Sequence, residues 1–246
     1  MQRKYEKPPL AEIVCEFSVG PDCAWDVTMP GLIYERVKAD FPEKKPQLLQ
    51  HVELASGQEG IEQKIRMEPR IQFRAKEEKV FLEIGDRLLG VHSMVTPYPG
   101  WAHFRPRVDV GFKALVDVSN VESLRRISLR YINRIEVPPE AGVVSKYFSF
   151  QPLLHDNKDM EVTSFIGGTT FAHGNDRSSV ELRSAVPDKP GNRAFQLLIG
   201  YFLALDRTIS TGEVLGWVES AHEKVDELFF ERCIRQPLRK LFQEVE

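Results

Sequence analysis

The stretch that most constrains this chain is Arg125 to Glu140, RRISLRYINRIEVPPE, at the midpoint of the 246 residues. Ile127, Leu129, Tyr131, Asn133, Ile135 and Val137 alternate with Arg126, Ser128, Arg130, Ile132, Arg134 and Glu136. Such period-two alternation marks a strand with one face in a core. Pro138-Pro139 and Gly142 end it, since proline carries no N–H for a ladder. The strand is expected to be the seam of a sheet, with an arginine ladder on its polar face and one Asn on its apolar face.

The flanking sequence repeats one order of elements on either side of this seam. Pro8-Pro9 release a strand from Leu10 to Val19. Thr28 reads as a helix cap with Pro30 in the first turn of a helix that runs to about Phe41. Residues 43 to 60 read as loop with one short edge strand. Ile61–Met67, Arg70–Ala75 and Val80–Ile84 read as short strands, the last two joined by a charged turn, with Leu88–Val95 as one more. A helix is expected from Pro106, carrying Val108, Phe112, Leu115 and Val116 at helical spacing. Beyond the seam, Lys146–Leu154 reads as a short helical turn, Glu161–Ala172 and Ser178–Val186 as a hairpin turned by His173–Asp176, and Arg193–Leu205 as a strand covered on both faces. Ser210 and Glu213 read as a capping box for a helix to about Cys233, and Pro237 starts a last short helix. The expected fold is α+β: an antiparallel sheet with helices mainly on one face, in a single domain over 1–246. Halves at 10–118 and 125–232 would each read strand, helix, about three strands, helix.

Composition narrows the function classes. Hydrophobic residues make up 42% and charged residues 28% of the chain, as in an ordinary packed core. A net charge of −3 argues against a surface built wholly for nucleic acid, while leaving room for a local basic patch. Three cysteines (Cys15, Cys23, Cys233) with no CxxC pair point away from a disulfide framework or a cysteine zinc site, and towards a reducing compartment. The most apolar window, Ala194–Leu205, is well short of the roughly 20 residues of a membrane helix. A cytoplasmic protein without membrane contact is expected.

Few residues suggest chemistry. Arg126, Arg130 and Arg134 would form a line along the sheet at about 13 Å spacing, from roughly 3.3 Å per residue, and phosphates could follow it. Glu12 and Glu16 on the first strand share that spacing, so ion pairs of Glu12 and Glu16 with Arg130 and Arg134 are the favoured reading. One arginine is left over, with Glu181 as its candidate partner. Asn133 needs hydrogen-bond partners on an apolar face, or else it marks a pocket beside Tyr131. His222 and Asp226 have helical spacing, but two ligands are too few for a metal site. Gly167-Gly168 suggests a bulge or a close backbone approach, and Tyr98, Trp101 and Phe104 are expected to be buried against the following helix. Glu77-Glu78 and Asp156/Asp159 read as solvated charge. The chain contains no GxGxxG, GxxxxGK[ST], HExxH or GxSxG. No cofactor, metal or catalytic residue is therefore expected.

Four segments in this order, KPPLAEIVCEF, WDVTMPGLIYERVKADFP, SLRYINRIEVP and ESAHEKVDELFFERCI, resemble a sporadically distributed family of uncharacterised prokaryotic proteins. The likeness covers nearly the whole chain. It implies an accessory role, such as a part in a defence system, and carries over no activity or site residue. The expectation is a non-enzymatic interaction or adaptor subunit with a protein partner. The alternatives are a nucleotide or nucleic-acid binding module on the arginine face, and an enzyme with a pocket near Tyr131, Asn133 and His222. Assembly with a second copy is left open.

Overall fold

The computed structural model describes residues 4–57, 60–76, 79–139, 143–149 and 164–245. The first half of the chain holds β1 (Lys4–Tyr5), β2 (Leu10–Ser18), α1 (Met29–Val37), β3 (Glu43–Gly57), β4 (Gly60–Arg74), β5 (Val80–Gly85), β6 (Leu88–Ser93) and α2 (Trp101–Ser119). The second holds β7 (Ser123–Leu124), β8 (Arg126–Val137), α3 (Val143–Tyr147), β9 (Ile166–His173), β10 (Asp176–Ala185), β11 (Arg193–Leu203), β12 (Ile209–Ser210) and α4 (Val214–Glu227). A π-helical turn over Leu228–Cys233, α5 (Gln236–Leu241) and β13 (Glu244–Val245) close the chain.

Nine strands form one antiparallel sheet in the order β3-β4-β5-β6-β2-β8-β11-β10-β9. The expected seam is therefore real: β8 pairs with β2 on one side and β11 on the other. Both halves are wound alike. Each opens with its seam strand (β2 or β8) and folds its last strand (β6 or β11) back beside it. The odd residues of β8 and β2 meet the core, with Ile13, Cys15, Phe17, Leu129 and Val137 fully buried.

Both long helices lie on this face. Gly111 lets α2 settle onto β5 and β6, because a Cβ there would come within 3.0–3.3 Å of Val91, Leu82 and Leu89. Asn120 ends α2 in the left-handed conformation (φ 50°), where its N–H bonds the Val116 carbonyl. Val214, Val218, Ala221, His222 and Val225 form the buried stripe of α4. The even residues of β8 carry the arginines on the opposite face.

Several expectations need correction. Residues 43–57 are a long strand, not loop, and 60–74 is one strand instead of two. α2 begins at Trp101 and carries Pro106 as its sixth residue, inside the helix, where the Ala102 carbonyl goes without its usual i+4 donor. The expected capping box is absent: Ser210 lies in β12, and Glu213 precedes α4 without a side-chain cap bond. β11 is covered on one face only among the described residues, and Leu198 and Phe202 are half-buried on the other. Gly167 and Gly168 sit in a regular ladder without a bulge. The aromatic run after Ser149, the start of the expected 161–172 strand and Glu77-Glu78 lie outside the described residues.

Candidate functional site

The arginine ladder divides into three different environments. Arg130 donates from Nη2 to Glu16 Oε2 at 2.9 Å, and Glu16 also accepts from Ser128 Oγ at 3.2 Å. This pair matches expectation. Arg134 does not meet Glu12. It reaches the β10–β11 turn, donating to the Val186 carbonyl at 2.6 Å and to Asp188 Oδ1 at 2.8 Å. The cause is a register shift between Leu10 and Glu12, which sets the Pro9 carbonyl on the Arg134 N–H (2.8 Å). Glu12 turns the other way and meets His92 Nδ1 at 2.9 Å. His92 in turn stacks on Phe81 (ring centroids 4.6 Å, 9°), with Arg74 5.3 Å above the same ring. Glu181 is taken by Arg183 at 3.7 Å, so it is not the partner of the third arginine.

That third arginine, Arg126, is exposed and has no ion pair among the described residues. Arg125 borders two adjoining clefts at one end of the central strands, and Arg126 borders the smaller of them. The larger, about 570 Å³, is lined by Arg125, Arg207, Asn120, Thr208, Asp22 and Glu122 among others. The smaller, about 400 Å³, adds Arg87, Arg126 and Asp86, with Leu205 common to both. Arg87 holds the rim by donating to the carbonyls of Gly20 (2.8 Å) and Cys23 (2.6 Å).

On the buried face, Tyr131 and His222 come together but Asn133 does not join them. The Tyr131 hydroxyl and His222 Nδ1 share a hydrogen bond of 2.7 Å. Trp101 stacks on the imidazole at 4.2 Å and 14°, and Asp226 Oδ2 stands 3.7 Å from Nε2. Burial pushes the His222 pKa down to about 4, against the upward pull of Glu219. Burial also holds the Tyr131 phenol well above its usual range. Asn133, 3% exposed, donates from Nδ2 to the Leu197 carbonyl at 3.1 Å. Tyr131, Asn133 and His222 line neither cleft; they are polar groups satisfied within the core.

One group escaped the sequence reading. Glu219 on α4 accepts from Trp101 Nε1 (2.8 Å) and Arg105 Nε (2.5 Å) on α2, and Arg105 also bonds Asp109. Burial alone would lower the Arg105 pKa, but the two carboxylates outweigh it and hold it high. These bonds clamp the helices of the two halves together. The Arg105/Asp109 spacing of four was the available signal; Glu219 had none, because its partners lie in the other half of the chain.

The three thiols are free and buried, and burial pushes each of them up, Cys233 to about 12. Among the described residues no group of three or more His, Cys, Asp or Glu is placed to hold a metal ion. No described helix is long and apolar enough to cross a membrane.

The other unusual feature is the β3–β4 ribbon. β5 pairs with β4 only from Ile71 to Arg74, whereas β3 and β4 stay paired from Glu43↔Arg74 out to Gly57↔Gly60. The outer part, from Gln47↔Arg70 onward, pairs with no third strand among the described residues and runs for about 33 Å at roughly 3.3 Å per residue. The sequence of this outer part holds Leu48, Leu49, Val52, Leu54, Ile61, Ile65 and Met67. Leu48 and Met67, at the base, are 59% and 49% exposed. Comparison with protein-family models and with curated proteins finds no match.

Proposed function

We propose that this chain is a non-catalytic interaction subunit of a larger prokaryotic assembly, which offers the β3–β4 ribbon to a protein partner. The ribbon carries the reading. A lone two-stranded hairpin is marginal in water, and exposed Leu48 and Met67 at its base gain free energy only when another surface covers them. The resemblance of the chain to a sporadically distributed family supports an accessory setting such as a defence system. The test joins Gln47 to Arg70 through an Asn-Gly turn, which removes residues 48–69 and retains the inner ladder. Thermal unfolding of the sheet should stay within a few degrees, while partners recovered with the full chain from its native host should be lost. Recovery of the same partners at the same yield would overturn the proposal.

A second reading rests on Arg125 and Arg126. Two exposed guanidinium groups without carboxylates in contact among the described residues, beside adjoining clefts, suit a phosphate-bearing ligand such as a nucleotide or a nucleic-acid end. Binding of single-stranded RNA or DNA should weaken steeply with salt and fall on Arg125→Ala/Arg126→Ala substitution. No measurable binding at low salt would remove this reading.

A further inference from the structure

We propose that two copies of this chain join through the free edge of β9, antiparallel to one another about a two-fold axis at Thr169. Among the described residues the sheet has two edge strands, β3 and β9. The base of β3 carries Lys44, Lys45 and Pro46, which is how natural sheets blunt an edge against pairing. β9 has no such protection. Its sequence, IGGTTFAH, contains no Lys, Arg, Asp, Glu or Pro. All of it but Gly167 is exposed, including Ile166 at 69% and Phe171 at 45%.

The ladder to β10 shows which backbone groups face outward. The turn Gly174-Asn175 closes on the pair His173↔Asp176, and a two-residue turn closes on a hydrogen-bonded pair. The odd residues of β9 therefore bond to β10, and the Ser184 N–H on the Phe165 carbonyl (2.9 Å) keeps the same phase. The N–H and C=O groups of Ile166, Gly168, Thr170 and Ala172 point away from β10, where no strand pairs with them among the described residues.

One self-pairing uses all four residues. It sets Thr169 opposite Thr169, Ile166 opposite Ala172 of the second copy, Thr170 opposite Gly168, and Phe171 opposite Gly167. Each larger side chain meets a small one. Phe171 covers Gly167 in a non-hydrogen-bonded pair, where side chains across strands are closest, and aromatic cover is a known remedy for a glycine at an edge. Sliding by two residues either way leaves an end residue's outward groups unused. This size match within one short segment selects a second copy over an unrelated strand. The pairing closes on itself, since the β3 edges left over are blunted, so it yields a dimer and not a fibre. It is independent of the role proposed for the ribbon, which lies at the other end of the sheet.

The test uses the full chain with Thr169→Cys. A non-hydrogen-bonded antiparallel pair brings Cα atoms to about 4.5 Å, within disulfide reach, and the native thiols are buried. Mild oxidation should give a covalent dimer, at least about tenfold faster than Thr170→Cys, whose counterpart in the second copy is displaced along the strand. Sedimentation of the unmodified chain should show a concentration-dependent dimer. Thr169→Lys should raise its dissociation constant about tenfold or more by opposing two charges on the axis, and an equimolar mixture with Thr169→Glu should restore association. Thr169 is exposed, so these variants should keep the fold, as checked by circular dichroism. A monomer at every concentration would overturn the proposal. So would a dimer that gives no Thr169→Cys cross-link, or one untouched by Thr169→Lys in a folded protein.

Discussion

Acidification should strip stability from this fold through His222. The imidazole is 6% exposed, stacked under Trp101 and bonded to Tyr131. The charged groups around it are Glu219 and Asp226 on its own helix, with Arg105 on α2 already bound to Glu219. The two carboxylates favour the imidazolium, but burial wins and sets the folded pKa near 4 against an ordinary 6.5. A depressed histidine is worth most when neutral. Its contribution is complete above the unfolded pKa of 6.5 and fades as pH falls towards 4, because the unfolded chain takes up the proton first. Each tenfold difference in proton affinity between the folded and unfolded chain corresponds to roughly 1.4 kcal/mol. Between about pH 7.5 and 5 the loss is therefore about 2 kcal/mol, and below about pH 4 it is about 3 kcal/mol. The assay is urea unfolding of the native chain and His222→Gln at several pH values. Taking the difference removes every other titrating group. The native chain should lead the variant at about pH 7.5, and that lead should shrink by about 2 kcal/mol at about pH 5. A difference independent of pH would refute the assignment of a neutral, desolvated His222.

Three further outcomes follow from the same geometry. Asn133→Ala should cost about 1–3 kcal/mol in urea unfolding, since it removes a buried amide together with its bond to the Leu197 carbonyl. Arg130→Ala should cost less than about 1 kcal/mol, because its pair with Glu16 is 44% and 29% exposed, and a double-mutant cycle with Glu16→Ala measures the coupling directly. Cys15, Cys23 and Cys233 should resist a thiol reagent at about pH 8 and react together only on denaturation, as burial has raised all three.

The sheet was legible where one face meets a core and the other meets water. In RISLRYINRIEV that contrast recurs at every residue, and the strand, its faces and its place between β2 and β11 all match the pattern. The pattern weakened where that contrast fails. In β3 and the outer part of β4 the sequence sets Gln50, Ser56 and Gln63 among the apolar residues, so no unbroken alternation can be read there. The charge pairing was half legible. Equal spacing of Glu12/Glu16 and Arg130/Arg134 found the Glu16–Arg130 pair, but a one-residue shift at Leu10/Glu12 redirected the other two. No periodicity announces such a shift. The Glu219 clamp depends on α2 and α4 lying together, which only the winding of the two halves decides.

That winding separates the stiff part of the molecule from its two available surfaces. The seam is doubly held, by the β2–β8 ladder through one layer and by Trp101 and Arg105 on Glu219 through the other. Charges on the uncovered face near it are largely spent on one another: Glu16 on Arg130, Glu12 on His92, Arg134 on Asp188. Unspent capacity for contact moves outward with distance from the seam. In the first half the extra strand β3 carries the ladder past β5 as a ribbon. In the second half the described count is one strand lower, and no described strand pairs with the outward N–H and C=O groups of β9. The different strand numbers of two halves wound alike thus give the sheet two unlike ends. One is a long two-stranded ribbon, and the other a short strand without Lys, Arg, Asp or Glu.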